Sequence, residues 1–236
     1  LPLHILLGED EYEDGRTITP EQIYAWSNEH KTTPKTSAPS LAETIELFRP
    51  YVEDGCDVIA FSISNSMSTS GNVMRLAAEE LEASNRIIVI DSANLSTGIG
   101  LLVVEAAIMA QNGAAAAEIV ARMEILKPQV RTSFVVDTLT YLYRGGRCNA
   151  VAAMAGGVLK LHPKIVVENG AMDATKKARP DRVFITHSGC DRATVDAVRN
   201  YLEGLGIFHE ILETRAGGVI SSHCGPGTLG VLFLAQ

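Results

Sequence analysis

Apolar residues follow two rhythms along this chain. Val58 to Ile63 and Arg86–Ile–Ile–Val–Ile–Asp91 are short continuous runs, the pattern of strands covered on both faces. Between and after them, apolar positions recur at helical spacing over Leu41 to Gly55, Asn72 to Leu81, Gly98 to Gln111 and Ala114 to Leu126. Helix starts are also marked. Thr19–Pro20–Glu21 sets a cap before a first-turn proline and predicts a helix to about Ser27, while Pro39–Ser40 opens the helix at Leu41. Pro2 to Gly8 predicts a short strand, Glu9 to Gly15 an acidic turn, and Thr32 to Ser40 a loop.

Strands that alternate with helices predict an α/β fold on a parallel sheet. The theme returns after Pro128. Strands are expected at Arg131 to Val136, Lys164 to Val167, Arg182 to Thr186 and Phe208 to Glu213, with helices at Asn149 to Leu161 and Asp191 to Leu205. A glycine-rich tail, Ala216 to Gln236, closes the chain. The expected organisation is therefore two lobes, 1–128 and 129–236, each a mostly parallel sheet flanked by helices.

Composition narrows the class. With 46% hydrophobic and 20% charged residues, the 236-residue chain can bury a real core. A net charge of -8 counts against nucleic acid and acidic membranes as general partners. Cys56, Cys148, Cys190 and Cys224 are scattered and form no Cys-x-x-Cys pair, so neither a disulfide framework nor a metal site is expected, and the default compartment is the cytoplasm. No apolar run approaches the roughly 20 residues that span a bilayer, so no stable membrane insertion is expected.

The chemistry concentrates after the first buried strand. Asp57 to Gly71 runs from that strand into Ser62, Ser64, Ser66, Ser68, Thr69 and Ser70, and then into a helix. Hydroxyls and unpaired helix-start N–H groups aimed at one point suit an anion. Helix capping alone needs fewer hydroxyls. Thr36–Ser37 forms a second hydroxyl group before another helix. Arg144–Gly–Gly–Arg147 brackets a turn with two cations, beside Tyr141 and Tyr143, and suits an interaction surface or a solvated turn equally well. His223 lies among small residues, where a ligand or a backbone can come close.

Two tempting motifs fail. Gly225–Pro–Gly–Thr–Leu–Gly230 has dinucleotide-site spacing, but only six residues follow it, too few for the βαβ unit required, so a tight turn feeding a final strand is expected. Ser68, His223 and Asp91 make a nucleophile, base and orienter only on paper, because the chain has no G-x-S-x-G elbow.

Five ordered motifs resemble the DegV family of bacterial fatty-acid-binding proteins. They are Thr36–Ser–Ala–Pro–Ser40, Ser62 to Gly71, Val89–Ile–Asp–Ser92, Phe134 to Arg147, and Ser222 to Gly230. The resemblance implies a two-lobed fold with a long-chain fatty acid buried between or within the lobes. It implies that Thr36, Ser37, Ser68, a backbone N–H at Thr69, and His223 hold the carboxylate, with no cofactor and no catalytic residue. It further implies a separate ATP-dependent fatty acid kinase as partner, making an acyl phosphate for phospholipid synthesis, with Arg144 and Arg147 as docking candidates. Leu101, Leu102, Val158 and Leu159 are the expected tunnel lining.

This chain departs from the family pattern in three places. It lacks an opening strand ending in Thr–Asp–Ser, carries Thr69 where a glycine is usual, and joins two strands almost directly through Lys176–Lys–Ala–Arg–Pro180. The rival readings are a hydrolase or transferase acting on a small acid or phosphorylated metabolite in the same cleft, and a sensor of lipid supply.

Overall fold

The computed structural model describes residues 1–146, 164–167 and 178–235. Two compact units emerge. The first is built mainly from Ala38–Val130, and the second from Pro2–Ser37 together with the described residues from Arg131 onward. The change between the units falls at 130/131. Residues 2–37, however, group with the C-terminal half of the chain rather than with the residues that follow them.

In the first unit, the parallel pairing expected from strand–helix alternation is present. β4 (Val58–Ser62) pairs in parallel with β5 (Ile87–Asp91), with Val58 opposite Ile87 and Ser62 opposite Asp91. Helix α2 (Leu41–Glu53) starts in a reciprocal cap: the Glu43 N–H donates to Ser40 Oγ at 3.2 Å, and the Ser40 N–H donates to Glu43 Oε2 at 2.8 Å. Phe48 of α2 and Ala77 and Ala78 of α3 (Ser70–Glu80) bury against Ile87. Helices α4 (Thr97–Gln111) and α5 (Ala116–Leu126) contribute Leu101, Leu102, Met123 and Leu126, all fully buried. Each such side chain contributes about 1.5–3 kcal/mol relative to exposure.

The second unit holds two sheets. In the smaller, β1 (His4–Leu7) is central and antiparallel to both β2 (Asp10–Glu13) and β3 (Lys35–Ser37). The expected acidic turn is thus the second arm of a hairpin, and the expected loop contains a strand. Both strands are short and polar, so pairing rather than an apolar run defines them. Helix α1 (Pro20–His30) begins at the Thr19 cap and buries Ile23 with Ile5, Leu7, Ile18 and Val219.

The larger sheet has the order β7-β6-β10-β8-β9, from β6 (Val130–Val135), β7 (Lys164–Val167), β8 (Ala178–Ser188), β9 (Glu210–Arg215) and β10 (Thr228–Ala235). A mostly parallel second sheet is not what forms. β8 and β9 are parallel, whereas β6 pairs with β7, and β8 with β10, antiparallel. Alternation with helices does not fix direction once a strand returns between two others. The glycine-rich tail is itself structured, as helix α8 (Gly218–Cys224), a turn, and β10 in the sheet interior. Helix α6 (Thr140–Arg144) follows β6, and α7 (Arg192–Gly204) packs Val195 and Leu202 onto Val183 and Ile185. The helix expected at Asn149 to Leu161, with Val158 and Leu159, and the segment from Lys176 to Lys177 lie outside the described residues.

Candidate functional site

Within the second unit, β3 and α8 bring two of the expected residues together. Thr36 stands opposite Ile5 of β1, and its Oγ1 lies 2.9 Å from His223 Nε2, a hydrogen bond whose direction the imidazole tautomer sets. Ser37 ends the same strand opposite His4 and is exposed. His223 sits near the end of α8, which terminates at Gly225 with φ +76°. That conformation favours glycine. The buried Tyr141 ring covers the same glycine: a Cβ at 225 would meet Tyr141 Cδ2 at 2.7 Å.

The Arg144–Gly–Gly turn closes against the histidine. A Cβ at Gly145 would lie 2.4 Å from His223 Nδ1, so a side chain there and the observed ring position exclude each other. Arg144 ends α6 and is exposed, with Tyr143 beside it 47% exposed. Arg147 lies outside the described residues. Sequence reasoning missed Gly145 as a packing requirement, since the Gly–Gly pair reads as an ordinary turn.

Ser68 and Thr69 belong to the first unit. The chain leaves β4 at Ser62, and the loop is wired by its own hydroxyls. Ser64 Oγ and Ser66 Oγ are 2.9 Å apart, as are Ser68 Oγ and Ser70 Oγ at 2.7 Å. The Ser66 and Ser70 N–H groups each donate to the serine Oγ two residues earlier, at 3.3 and 3.2 Å. Thr69 occupies the N-cap position of α3 but makes no side-chain cap there. Gly71 lets the helix start approach the strand end: a Cβ would meet Asn65 Oδ1 at 2.6 Å and Ser62 Oγ at 2.7 Å.

Asp91 ties the two loops of this unit together. Its Oδ1 accepts from the Ala93 N–H at 2.9 Å and the Asn65 N–H at 3.3 Å, while the Ser64 N–H donates to the Asn94 carbonyl at 2.9 Å. Asp91 is therefore engaged by backbone donors of its own unit, and His223 Nε2 by Thr36. Two non-glycine residues of the following loop, Ala93 and Ser96, hold φ near +50°, a strained conformation that surrounding bonds must sustain. The expected lining residues Leu101 and Leu102 are both fully buried in this unit.

Cys224 follows His223 at the end of α8. The neighbouring Cys224 thiol is pushed up to about 12 by burial, which keeps it neutral. Among the described residues, no group of three or more His, Cys, Asp or Glu side chains could hold a metal ion, and no helix is long and apolar enough to cross a membrane. The Thr36 hydroxyl and the His223 imidazole are groups able to donate hydrogen bonds to an anion.

Comparison with known proteins places the chain in a family. The profile described as "Uncharacterised protein, DegV family" matches residues 1–181. A DegV domain-containing protein of Deinococcus radiodurans is 32% identical over 252 residues, covering 98% of this chain and 89% of the relative. Among solved structures, a DegV family protein from Thermus thermophilus, described for its fatty acid binding, superposes with a TM-score of 0.89 at 29% identity, covering 100% of this chain and 91% of that one. The Fatty Acid Kinase (Fak) B3 protein of Streptococcus pneumoniae, loaded with linoleic acid, shares the fold with a TM-score of 0.85 at 17% identity, covering 100% and 90%. The chain belongs to the DegV family.

Proposed function

We propose that this protein binds a long-chain fatty acid and carries it without transforming it. The observation that carries the reading is the Thr36–His223 pair, a hydroxyl and an imidazole fixed 2.9 Å apart in a family whose Thermus thermophilus member is described as binding fatty acid. Thr36, Ser37, Ser68, the Thr69 N–H and His223 are the proposed carboxylate ligands. A carboxylate out of water is costly unless several donors meet it. The acyl chain provides the drive. About 0.8 kcal/mol per buried methylene makes roughly 12 kcal/mol available for a chain of about 15 methylenes, before ordering costs.

The finer reading is that the bound acid is presented to a separate ATP-dependent fatty acid kinase, which phosphorylates its carboxylate. The fold shared with the Streptococcus pneumoniae Fatty Acid Kinase (Fak) B3 protein supports this, as does an exposed cation, Arg144, on the turn that abuts His223. Arg144 and Arg147 are the proposed docking residues. A hydrolase reading would need an acidic group to orient His223. Asp91, the one named for that role, accepts the backbone N–H groups of residues 65 and 93 through Oδ1.

Native mass spectrometry of gently purified protein tests the carrier reading. A retained mass matching a fatty acid, lost in Thr36→Val, is the expected result. Protein that is empty as isolated and indifferent to added oleate sinks it. For the kinase step, charge reversal at Arg144 should reduce acyl-phosphate formation and spare oleate affinity.

A further inference from the structure

Asp14 follows directly on β2, and its carboxylate reaches a helix 204 residues away in sequence. The Gly218 N–H donates to Oδ1 at 2.6 Å, and the Val219 N–H donates to Oδ2 at 3.0 Å. These are first-turn donors of α8, and the residue at its own N-cap, Gly217, has no side chain to satisfy them. A carboxylate there makes charge-assisted bonds at the positive end of the helix. Two glycines give it room. A Cβ at Gly217 would lie 3.2 Å from Asp14 Oδ2, and one at Gly218 would lie 2.8 Å from Oδ1 and 2.7 Å from Ile5 Cδ1.

The same small sheet carries Thr36. β3 holds it opposite Ile5, while Asp14 extends from the far arm of the hairpin, its N–H donating to the Leu3 carbonyl at 2.9 Å. One sheet therefore grips both partners of the Thr36–His223 bond, one directly and the other through the start of the helix that bears it. Five residues, about 7.5 Å of helical rise, separate Gly218 from His223. A helix of seven residues has too little propensity to hold itself, so its height and rotation follow from what clamps it.

We propose that Asp14 is a positioning residue for His223, setting the height of α8 so that Nε2 meets Thr36 Oγ1. The functional weight of this rests on reading Thr36 and His223 as carboxylate ligands. The test compares full-length Asp14→Ala and Asp14→Asn with Asp191→Ala, which removes a cap of similar kind from α7, where Asp191 accepts from the Thr194 N–H at 2.8 Å. Two readouts are taken: the His223 imidazole resonances and their titration by NMR without ligand, and oleate affinity by calorimetry.

Asp14→Ala should move the His223 resonances and titration midpoint and weaken oleate about tenfold. Asp14→Asn, which keeps one acceptor oxygen, should fall between. Asp191→Ala should lower thermal stability and move neither. Asp14 variants with unmoved His223 resonances overturn the proposal, and Asp14→Asn alone decides the matter where Asp14→Ala does not fold. Moved resonances with unaltered oleate affinity uphold the positioning role and overturn the head-group reading instead.

Discussion

The two sets of proposed ligands are assembled in opposite ways. Around Ser68, hydroxyls bond to partners two residues away, Ser64 to Ser66 and Ser68 to Ser70. Around His223, the bond to Thr36 spans 187 residues and stands on a sheet, a clamped helix and a glycine turn. A locally wired loop survives the loss of one member, because its neighbours and solvent can replace each bond. A distantly wired pair depends on every support at once, so damage to it should be larger and should spread.

The sharpest way to break this contrast is at two glycines. Gly145→Ala puts a methyl where His223 Nδ1 lies and should cost about 1–3 kcal/mol by urea unfolding, with the His223 resonances displaced. Gly71→Ala meets Asn65 and Ser62 and should cost about as much, yet leave the His223 resonances in place. Equal displacement of those resonances by both variants would erase the distinction.

Next in size are the ligands themselves. His223→Ala should weaken oleate about thirtyfold, the value of roughly 2 kcal/mol for a hydrogen bond to a charged group. Ser68→Ala should weaken it about fivefold, since Ser70 Oγ and nearby N–H groups remain. Calorimetric titration ranks the two, and a reversed order would make the serine loop the principal grip.

A milder probe uses thiol chemistry. Cys56 is exposed, while the Cys224 thiol is buried and pushed up to about 12. At pH 8, iodoacetamide should modify Cys56 within minutes and Cys224 many times more slowly, by peptide mass mapping. Cys224 neighbours His223 on α8, so faster labelling in Asp14→Ala would show that the helix has come loose.

The smallest effect concerns a cap made locally. Asp191 is held below the ordinary carboxylate range by the Thr194 N–H and then the Thr194 hydroxyl. A depressed folded value makes its contribution complete above the unfolded carboxylate value, about pH 4, and lost as pH falls through the lower folded value. Asp191→Asn should therefore have a lower urea midpoint than the parent at pH 7, with the gap closing below about pH 4. A gap that persists at pH 2 would contradict this.

What sequence could reveal divides along the same line. The serine run, the Thr19–Pro20 and Ser40 helix starts and the paired strands β4 and β5 are local patterns, and the structure reproduces them. β2 and β3 escaped because four and three mostly polar residues carry no periodic signal, and only pairing to β1 makes them strands. The parallel expectation failed in the second unit because β10 returns between β6 and β8, which no local rhythm encodes. His223 was legible as a histidine among small residues, but its support from Asp14 and Gly145 was not. The one trace of the remote cap is Gly217–Gly218 at a helix start without a hydroxyl or acid of its own.

The interior place of β10 governs the order in which the second unit can close during synthesis. It follows every other described strand in sequence, yet it sits between β6 and β8. Until it leaves the ribosome, those two strands have bare facing edges, the kind of surface that invites pairing with other chains. Asp14 must likewise wait for Gly218 and Val219, more than 200 residues later, before its carboxylate finds its partners. The second unit is thus a structure whose closure waits for strands made long after those they join, and holding such a nascent chain apart from its neighbours is the kind of task that falls to chaperones.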